Sequence, residues 1–145
     1  MPDYKRMMKI THICLANYND NWGYQENLLP EYQYKRGDDV TVIASSKKFA
    51  SFLNEEEILK TKSKGSKYKI NGVNIRRIKT YLNTQNSSFI IWGLYRNLCD
   101  LSPDLIFHHG VSLSSLLIVY AYALVHKEVV VMVDNHADII NQTKK

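Results

Sequence analysis

The stretch Val-Val-Val-Met-Val-Asp-Asn-His-Ala-Asp, residues 129–138, decides the fold class of this 145-residue chain. Its first half, Val129 to Val133, is apolar at every position and mostly β-branched, which is typical of a strand buried in a parallel sheet. Its second half places His136 between two carboxylates, Asp134 and Asp138. Ligands of open α/β sheets bind just beyond the carboxyl ends of the strands, so we predict a ligand-handling position here.

Strand and helix patterns alternate through the remainder of the chain. Lys9 to Ala16 predicts a first strand, Tyr24 to Arg36 a helix, and Asp39 to Ala44 a second strand, which together form a right-handed βαβ unit with parallel strands. The further predicted elements are a short helix at Ala50 to Leu59, a β-hairpin around Asn71-Gly72 whose second arm joins the main sheet, a helix at Asn86 to Leu101, a strand at Leu105 to His108, and a helix from Ser112 to about His126.

This alternation predicts an α/β fold, a doubly wound and mostly parallel Rossmann-like sheet with helices on both faces and one β-hairpin. The length allows one domain, residues 1–145. The chain ends in a polar segment without a helix stop signal, so we expect it to be the first part of a longer protein.

Composition and charge narrow the class of protein. Hydrophobic residues make up 45% and charged residues 23% of the chain, as in an ordinary globular domain. The longest apolar helix candidate, Leu113 to Val125, falls short of the ~20 residues of a membrane span, and the start lacks a signal peptide, so we expect a cytoplasmic protein. Cys14 and Cys99 are expected to be buried thiols that form no disulfide.

The net charge of +5 is concentrated between Lys47 and Lys79. Such a block either is an ordinary solvated surface or faces phosphates or anionic lipid, which would allow peripheral contact with the inner face of the cell membrane. No aromatic residues suited to stacking bases alternate with these lysines, and no nucleic-acid-binding motif occurs, so nucleic acid is not an expected partner.

The candidate site residues follow predicted strand ends. Gly23, within the turn Trp22-Gly23-Tyr24, lets backbone N–H groups approach an anion at a helix N-terminus, and Glu26 lies in that helix's first turns. His109 and Gly110 end a neighbouring strand. The alternative for each of these residues is a purely structural role, as part of a turn, as a cap or as a surface group. Asp-x-Asp, Gly-x-Gly-x-x-Gly, P-loop and Gly-x-Ser-x-Gly patterns are absent, so no metal or cofactor is expected.

Five segments, taken in order, resemble the N-terminal domain of the large retaining GT-B glycosyltransferase family numbered four. Gly23 stands where the family often has two glycines, Phe107 replaces a histidine of the family's Pro-Asp-Ile-Ile-His-x-His-Gly pattern, and Asp134 and Ala137 replace the threonine and aspartate of Thr-x-His-Asp. The matching segments are Lys9 to Leu15, Gly23 with Glu26, Arg36 to Ile43, Pro103 to Gly110, and Val130 to His136.

The resemblance implies the acceptor-side half of an enzyme that transfers a sugar from a nucleotide sugar to a glycan or lipid-linked acceptor with retention, as in polysaccharide biosynthesis. It implies catalytic roles for His136 and Asp134, and substrate-binding roles for Trp22, Gly23, Tyr24, Glu26, His109, Gly110 and Asp138. The family's C-terminal domain binds most of the nucleotide, so this chain alone is expected to be inactive.

Two other functions remain open at this stage. The first is a stand-alone α/β binding or interaction module without catalysis. The second is a flavodoxin-like phospho-ligand or regulatory domain, which requires an acidic pocket at the end of the first strand. Only Asp20 comes near that position, so the flavodoxin-like reading is the weaker of the two.

Overall fold

A computed structural model describes residues 6–15, 18, 20, 23, 25–46, 66–83, 88–91, 93–110 and 113–134. The elements in these ranges are β1 (Lys9–Cys14), α1 (Gln25–Lys35), β2 (Asp39–Ser45), β3 (Lys67–Ile70), β4 (Val73–Ile78), β5 (Thr80–Asn83), β6 (Ser88–Ile91), α2 (Leu94–Leu101), β7 (Leu105–His109), α3 (Leu113–Val125) and β8 (Val130–Asp134). The predicted helix at Ala50 to Leu59 lies outside the described ranges.

Within these ranges the molecule is an α/β protein built on a six-stranded open sheet of order β3-β4-β2-β1-β7-β8. All neighbouring strands are parallel except β3, which runs antiparallel to β4. From β1 the chain first builds outward through β2 and β4, then returns to the other side of β1 to form β7 and β8. This reversal makes the boundary between β1 and β7 the topological switch point, and the arrangement is consistent with a Rossmann-like fold.

Alternate residues of the central strands face two separate apolar layers. Ile10, Val40 and Val42 belong to one cluster, on the sheet face from which His12 bonds to Gln33 of α1. Ile13 and Ile43 belong to the other cluster, which α2 and α3 complete with Leu94, Leu98, Val119 and Tyr122. Helices therefore cover both faces, because each strand buries apolar side chains on both sides.

The β3–β4 hairpin has the turn that its sequence predicts. Asn71 and Gly72 have φ angles of 48° and 88°, and positive values at both central positions define the type I′ turn that matches strand twist. A Cβ atom at Gly72 would overlap the ring of Tyr34. β4 then pairs with β2, so the prediction that the second arm joins the main sheet is confirmed.

The helix predicted over Asn86 to Leu101 is wrong in its first part. Ser88–Ile91 forms β6, antiparallel to β5, and α2 begins only at Leu94. Gly93, with φ 83°, breaks the helical path between them. A short apolar run fits strand and helix alike, and the pairing partner that decides between them, β5, does not show in the run itself.

The burial predicted for Val129 to Val133 is also wrong. β8 is parallel to β7 as expected, but it is the edge strand of the sheet that the described residues form. Its apolar side chains are substantially exposed: Val130 56%, Val131 36%, Met132 48% and Val133 48%. An apolar run predicts a strand, but its place within the sheet depends on the topology of the whole chain.

The cysteine prediction is half right. Cys14 is buried in β1, whereas Cys99 in α2 is exposed, and both are free thiols. No helix in the described ranges has both the length and the apolar character needed to cross a bilayer.

Candidate site at the carboxyl edge of the sheet

The carboxyl ends of β1, β7 and β8 form the candidate site. β7 ends at His109 and β8 at Asp134, and these two residues are paired in the strand register. Gly110 follows directly. The structure therefore brings His109, Gly110 and Asp134 together beside the topological switch point, where open α/β sheets bind their ligands.

His109 and Asp134 form a mostly buried pair. His109 Nδ1 lies 3.1 Å from Asp134 Oδ2, a distance at which the two attract as an ion pair when the imidazole is protonated. The side chain of His109 is 3% exposed and that of Asp134 is 19% exposed. Of the two, the carboxylate is therefore the group that solvent or a ligand reaches.

His12, inside β1, links this pair to Gln33 of α1 through two hydrogen bonds. Its Nδ1 lies 2.9 Å from His109 Nε2, and its Nε2 lies 2.6 Å from Gln33 Oε1. When the Gln33 oxygen accepts from His12 Nε2–H, His12 Nδ1 is left to accept from His109 Nε2–H. The hydrogen bond to His12 fixes the His109 ring, whose Nδ1 lies beside the Asp134 carboxylate.

Burial keeps His12 neutral. Burial is the largest cause of a fall in the pKa of His12 from 6.5 to about 4. The hydrogen bond to the Gln33 oxygen opposes this fall, the charge of His109 adds to it, and the charge of Asp134 opposes it. A neutral ring has one nitrogen that accepts and one that donates, which is what its two partners require. The rings of His12 and His109 also stack, with centroids 5.2 Å apart.

The turn after β7 is held from the opposite face of the sheet. Gly110 has φ 83°, and its N–H donates to the backbone carbonyl of Asp134 at 3.0 Å. His108 Nδ1–H donates to the Gly110 carbonyl at 2.8 Å, and the Ser115 hydroxyl donates to His108 Nε2 at 2.7 Å. Burial lowers the pKa of His108, which favours this neutral tautomer. His108 thus ties the turn to the first turn of α3.

Glu26 and Gly23 lie on the segment that leaves β1. Glu26 is half-buried in the first turn of α1. Burial raises the pKa of the Cys14 thiol at the end of β1, and the charges of Glu26 and Asp134 raise it further. Gly23 is exposed with φ 66°, and a Cβ atom there would meet nothing within 4 Å.

A buried ion pair braces the same segment against β4. Asp20 Oδ1 lies 3.0 Å from Arg77 Nη2, and the two side chains are 2% and 6% exposed. Tyr68 donates from its hydroxyl to Asp20 at 2.9 Å and accepts from Arg77 Nε at 2.7 Å. Arg77 Nη1 also donates to the Ser45 carbonyl at 2.9 Å. Asp20, which follows β1 in the chain, is therefore anchored at the carboxyl ends of β2 and β4.

The remaining predicted site residues, Trp22, Tyr24, His136 and Asp138, lie outside the described residues. Sequence reasoning missed His12, Gln33 and His108 as members of the site. The usable signal was a histidine inside the apolar strand at Lys9 to Cys14, because a fully buried imidazole requires partners. In the described part of the chain, no group of three or more His, Cys, Asp or Glu side chains is arranged to hold a metal ion.

Comparisons with known proteins add no relative. The chain matches no protein-family model, no curated protein and no solved structure.

Proposed function

We propose that this chain is the acceptor-side domain of a nucleotide-sugar-dependent, retaining glycosyltransferase, and that it binds sugar hydroxyl groups at the carboxyl edge of its sheet. The observation that carries the proposal is the chain Asp134–His109–His12–Gln33 at the switch point. The segment-by-segment resemblance to GT-B enzymes supports it independently, and so does the Rossmann-like sheet that such a domain requires.

Asp134 is the contact group in this proposal. Its carboxylate accepts hydrogen bonds only, and bonds from a hydroxyl to an ionised acceptor are among the stronger ones in proteins. His109 is a positioning residue, since its ring nitrogens are engaged by Asp134 and His12. Holding the carboxylate in one orientation before the sugar arrives reduces the entropy lost on binding.

The remaining roles follow the resemblance. His136 contacts the transferred sugar. Asp138 and Glu26 accept hydrogen bonds from sugar hydroxyl groups at the carboxyl edge of the sheet. The turn Trp22-Gly23-Tyr24 contacts the diphosphate of the donor. A second domain supplies most of the nucleotide site, and no metal or other cofactor takes part. The sugar transfer takes place at the cytoplasmic side of the membrane.

Binding of neutral saccharides to the purified chain tests the contact role of Asp134. Glucose, galactose, mannose, N-acetylglucosamine and their methyl glycosides are titrated and followed by ligand-observed NMR. We expect Asp134→Asn to weaken binding of the preferred sugar at least tenfold, or about 1.4 kcal/mol, because a hydrogen bond to a charged group contributes roughly 1.5–3 kcal/mol. Asp100→Asn, at an exposed carboxylate of α2, is the matched control and should bind like wild type. Equal affinity in both variants would remove Asp134 from the site.

A non-catalytic binding module is the second candidate. It is favoured by the buried side chains of His109, His12 and Gln33, which bond to one another. Transfer from radiolabelled nucleotide sugars, assayed with the complete gene product, separates the two. The transferase proposal predicts turnover that falls at least tenfold in Asp134→Asn, while the binding module predicts none in wild type. The proposal also predicts that residues 1–145 alone show no enzyme-like hydrolysis of nucleotide sugars.

A further inference from the structure

A second candidate site lies at the opposite edge of the sheet. The β3–β4 hairpin, the amino-terminal half of β2 and the end of α2 enclose a cleft of about 390 Å³. Such a volume falls in the ordinary range of small-ligand sites. Its charged lining residues are Lys67, Lys69, Arg76 and Asp39, and its polar ones are Asn74, Thr41 and Tyr68.

The strand register brings the three cations of this lining onto one face. Lys67 pairs with Arg76 and Lys69 pairs with Asn74 across the hairpin. Directly paired side chains lie on the same face of a sheet, and positions two residues apart share that face. Lys67, Lys69 and Arg76 therefore project together on the side of the hairpin that carries the cleft.

These positive charges are not balanced within the described part of the chain. No carboxylate there lies within ion-pair distance of Lys67, Lys69 or Arg76. The side-chain partner of Arg76 is a neutral amide, Asn97, at 3.3 Å. The single carboxylate of the cleft, Asp39, accepts from Asn74 at 3.2 Å. Like charges paired across strands are destabilising, so an anion bound between them would stabilise the hairpin.

We infer that this cleft binds a phosphoryl group, either of a soluble phosphate ester or of an anionic lipid headgroup. Guanidinium offers planar paired donors to phosphate oxygens, and two ammonium groups add point charges. The Thr41 hydroxyl adds a neutral donor among the lining residues. The cleft lies at the amino ends of β2 and β4, away from Asp134, so the inference does not depend on the proposed glycosyltransferase function.

Titration with inorganic pyrophosphate by isothermal calorimetry, using the full 145-residue chain, tests the inference. The variant Lys67→Gln/Lys69→Gln/Arg76→Gln should lose at least tenfold in affinity. The control Lys35→Gln/Arg96→Gln/Lys127→Gln removes the same net charge from exposed positions elsewhere and should change affinity less than twofold. Equal losses in both variants, or a wild type that binds neither pyrophosphate nor vesicles containing phosphatidic acid, would overturn the site.

A vesicle arm separates the two sources of phosphate. Co-sedimentation with phosphatidylcholine vesicles containing phosphatidic acid is compared with pyrophosphate binding. A lipid ligand predicts binding to these vesicles but not to pure phosphatidylcholine, with the same tenfold loss in the triple variant. A soluble ligand predicts pyrophosphate binding alone. Vesicle binding that the triple variant retains would contradict the site, and saccharide binding at Asp134 should be unchanged by that variant in every case.

Discussion

For the single residue His12, the sequence predicts burial but not the hydrogen-bond partners. Its position inside an apolar strand marks it as buried, and it is 0% exposed. Its partners, however, lie 21 and 97 residues away in the chain, at Gln33 and His109. Only the sheet order brings them together, so His12 could be predicted as structural but not as part of the site.

The lowered pKa of His12 predicts a loss of stability in mild acid. The unfolded chain takes up a proton near pH 6.5, whereas the folded chain does so only near pH 4. The unfolded state therefore binds more protons between these values, and the free energy of unfolding falls as pH drops through that window. The contribution is on the order of 3 kcal/mol at pH 4. Urea denaturation at intervals from pH 7 to pH 4 measures it.

The comparison variant for this experiment is His12→Gln, which keeps a polar side chain but does not titrate. Its free energy of unfolding should depend less steeply on pH than that of wild type over the same window. The account of a neutral buried His12 fails if the His12→Gln and wild-type slopes coincide.

Among the strands and helices, the sequence predicts the β3–β4 hairpin correctly but not the edge position of β8. Asn71-Gly72 specifies its turn through backbone conformation alone, so the sequence suffices. Whether β8 is central or peripheral depends on what pairs with it, and its composition is the same in either case. The strand at Ser88–Ile91 was misread as helix for the related reason that its partner, β5, is not part of the apolar run.

The exposed edge position of β8 predicts tolerance to charge. Val130→Lys should change the free energy of unfolding by no more than about 0.5 kcal/mol, because Val130 is 56% exposed. It should also reduce self-association, since charged side chains on an edge strand oppose pairing with other chains. Urea denaturation and sedimentation velocity measure the two effects.

Val42→Lys is the matched control for this prediction, since Val42 lies in a central strand and is 0% exposed. An unpaired buried ammonium group there should unfold the protein. If Val130→Lys were as damaging as Val42→Lys, β8 would have to be covered on its apolar faces.

At the scale of the whole molecule, the buried pair Asp20–Arg77 joins two parts of the sheet. Asp20 lies on the segment between β1 and α1, and Arg77 lies near the end of β4. Their separation of 57 residues in the chain put the pair beyond sequence prediction. The prediction that site residues follow strand ends did place His109, Gly110 and Asp134 at one edge of the sheet, where the structure brings them together. Their roles stay predictions.

Removing one partner of this pair should be costly. Arg77→Met leaves the Asp20 carboxylate buried without its cation, and such changes cost roughly 3–5 kcal/mol. The double variant Asp20→Asn/Arg77→Met should lose less than the sum of the two single variants, because removing both charges leaves neither of them buried without the other. Denaturant unfolding of all four proteins gives the coupling energy.

The exposed pair Arg6–Asp104 supplies the control, since the side chain of Arg6 is 85% exposed. Arg6→Met should cost no more than about 1 kcal/mol, as expected of surface ion pairs. Additive losses at Asp20 and Arg77 would show that the two charges do not stabilise each other.

A sugar site at Asp134 is tested most directly by locating the residues whose NMR signals a bound sugar shifts. Imidazole-nitrogen and backbone-amide NMR shifts of the 145-residue chain are followed while the preferred saccharide is added to saturation. Sugar binding at Asp134 predicts saturable shifts at the His109 ring nitrogens and the Gly110 amide, with His126 unchanged. Saturable shifts confined to other parts of the sheet, or none at any saccharide concentration, would contradict a sugar site at the carboxyl edge between β1 and β7.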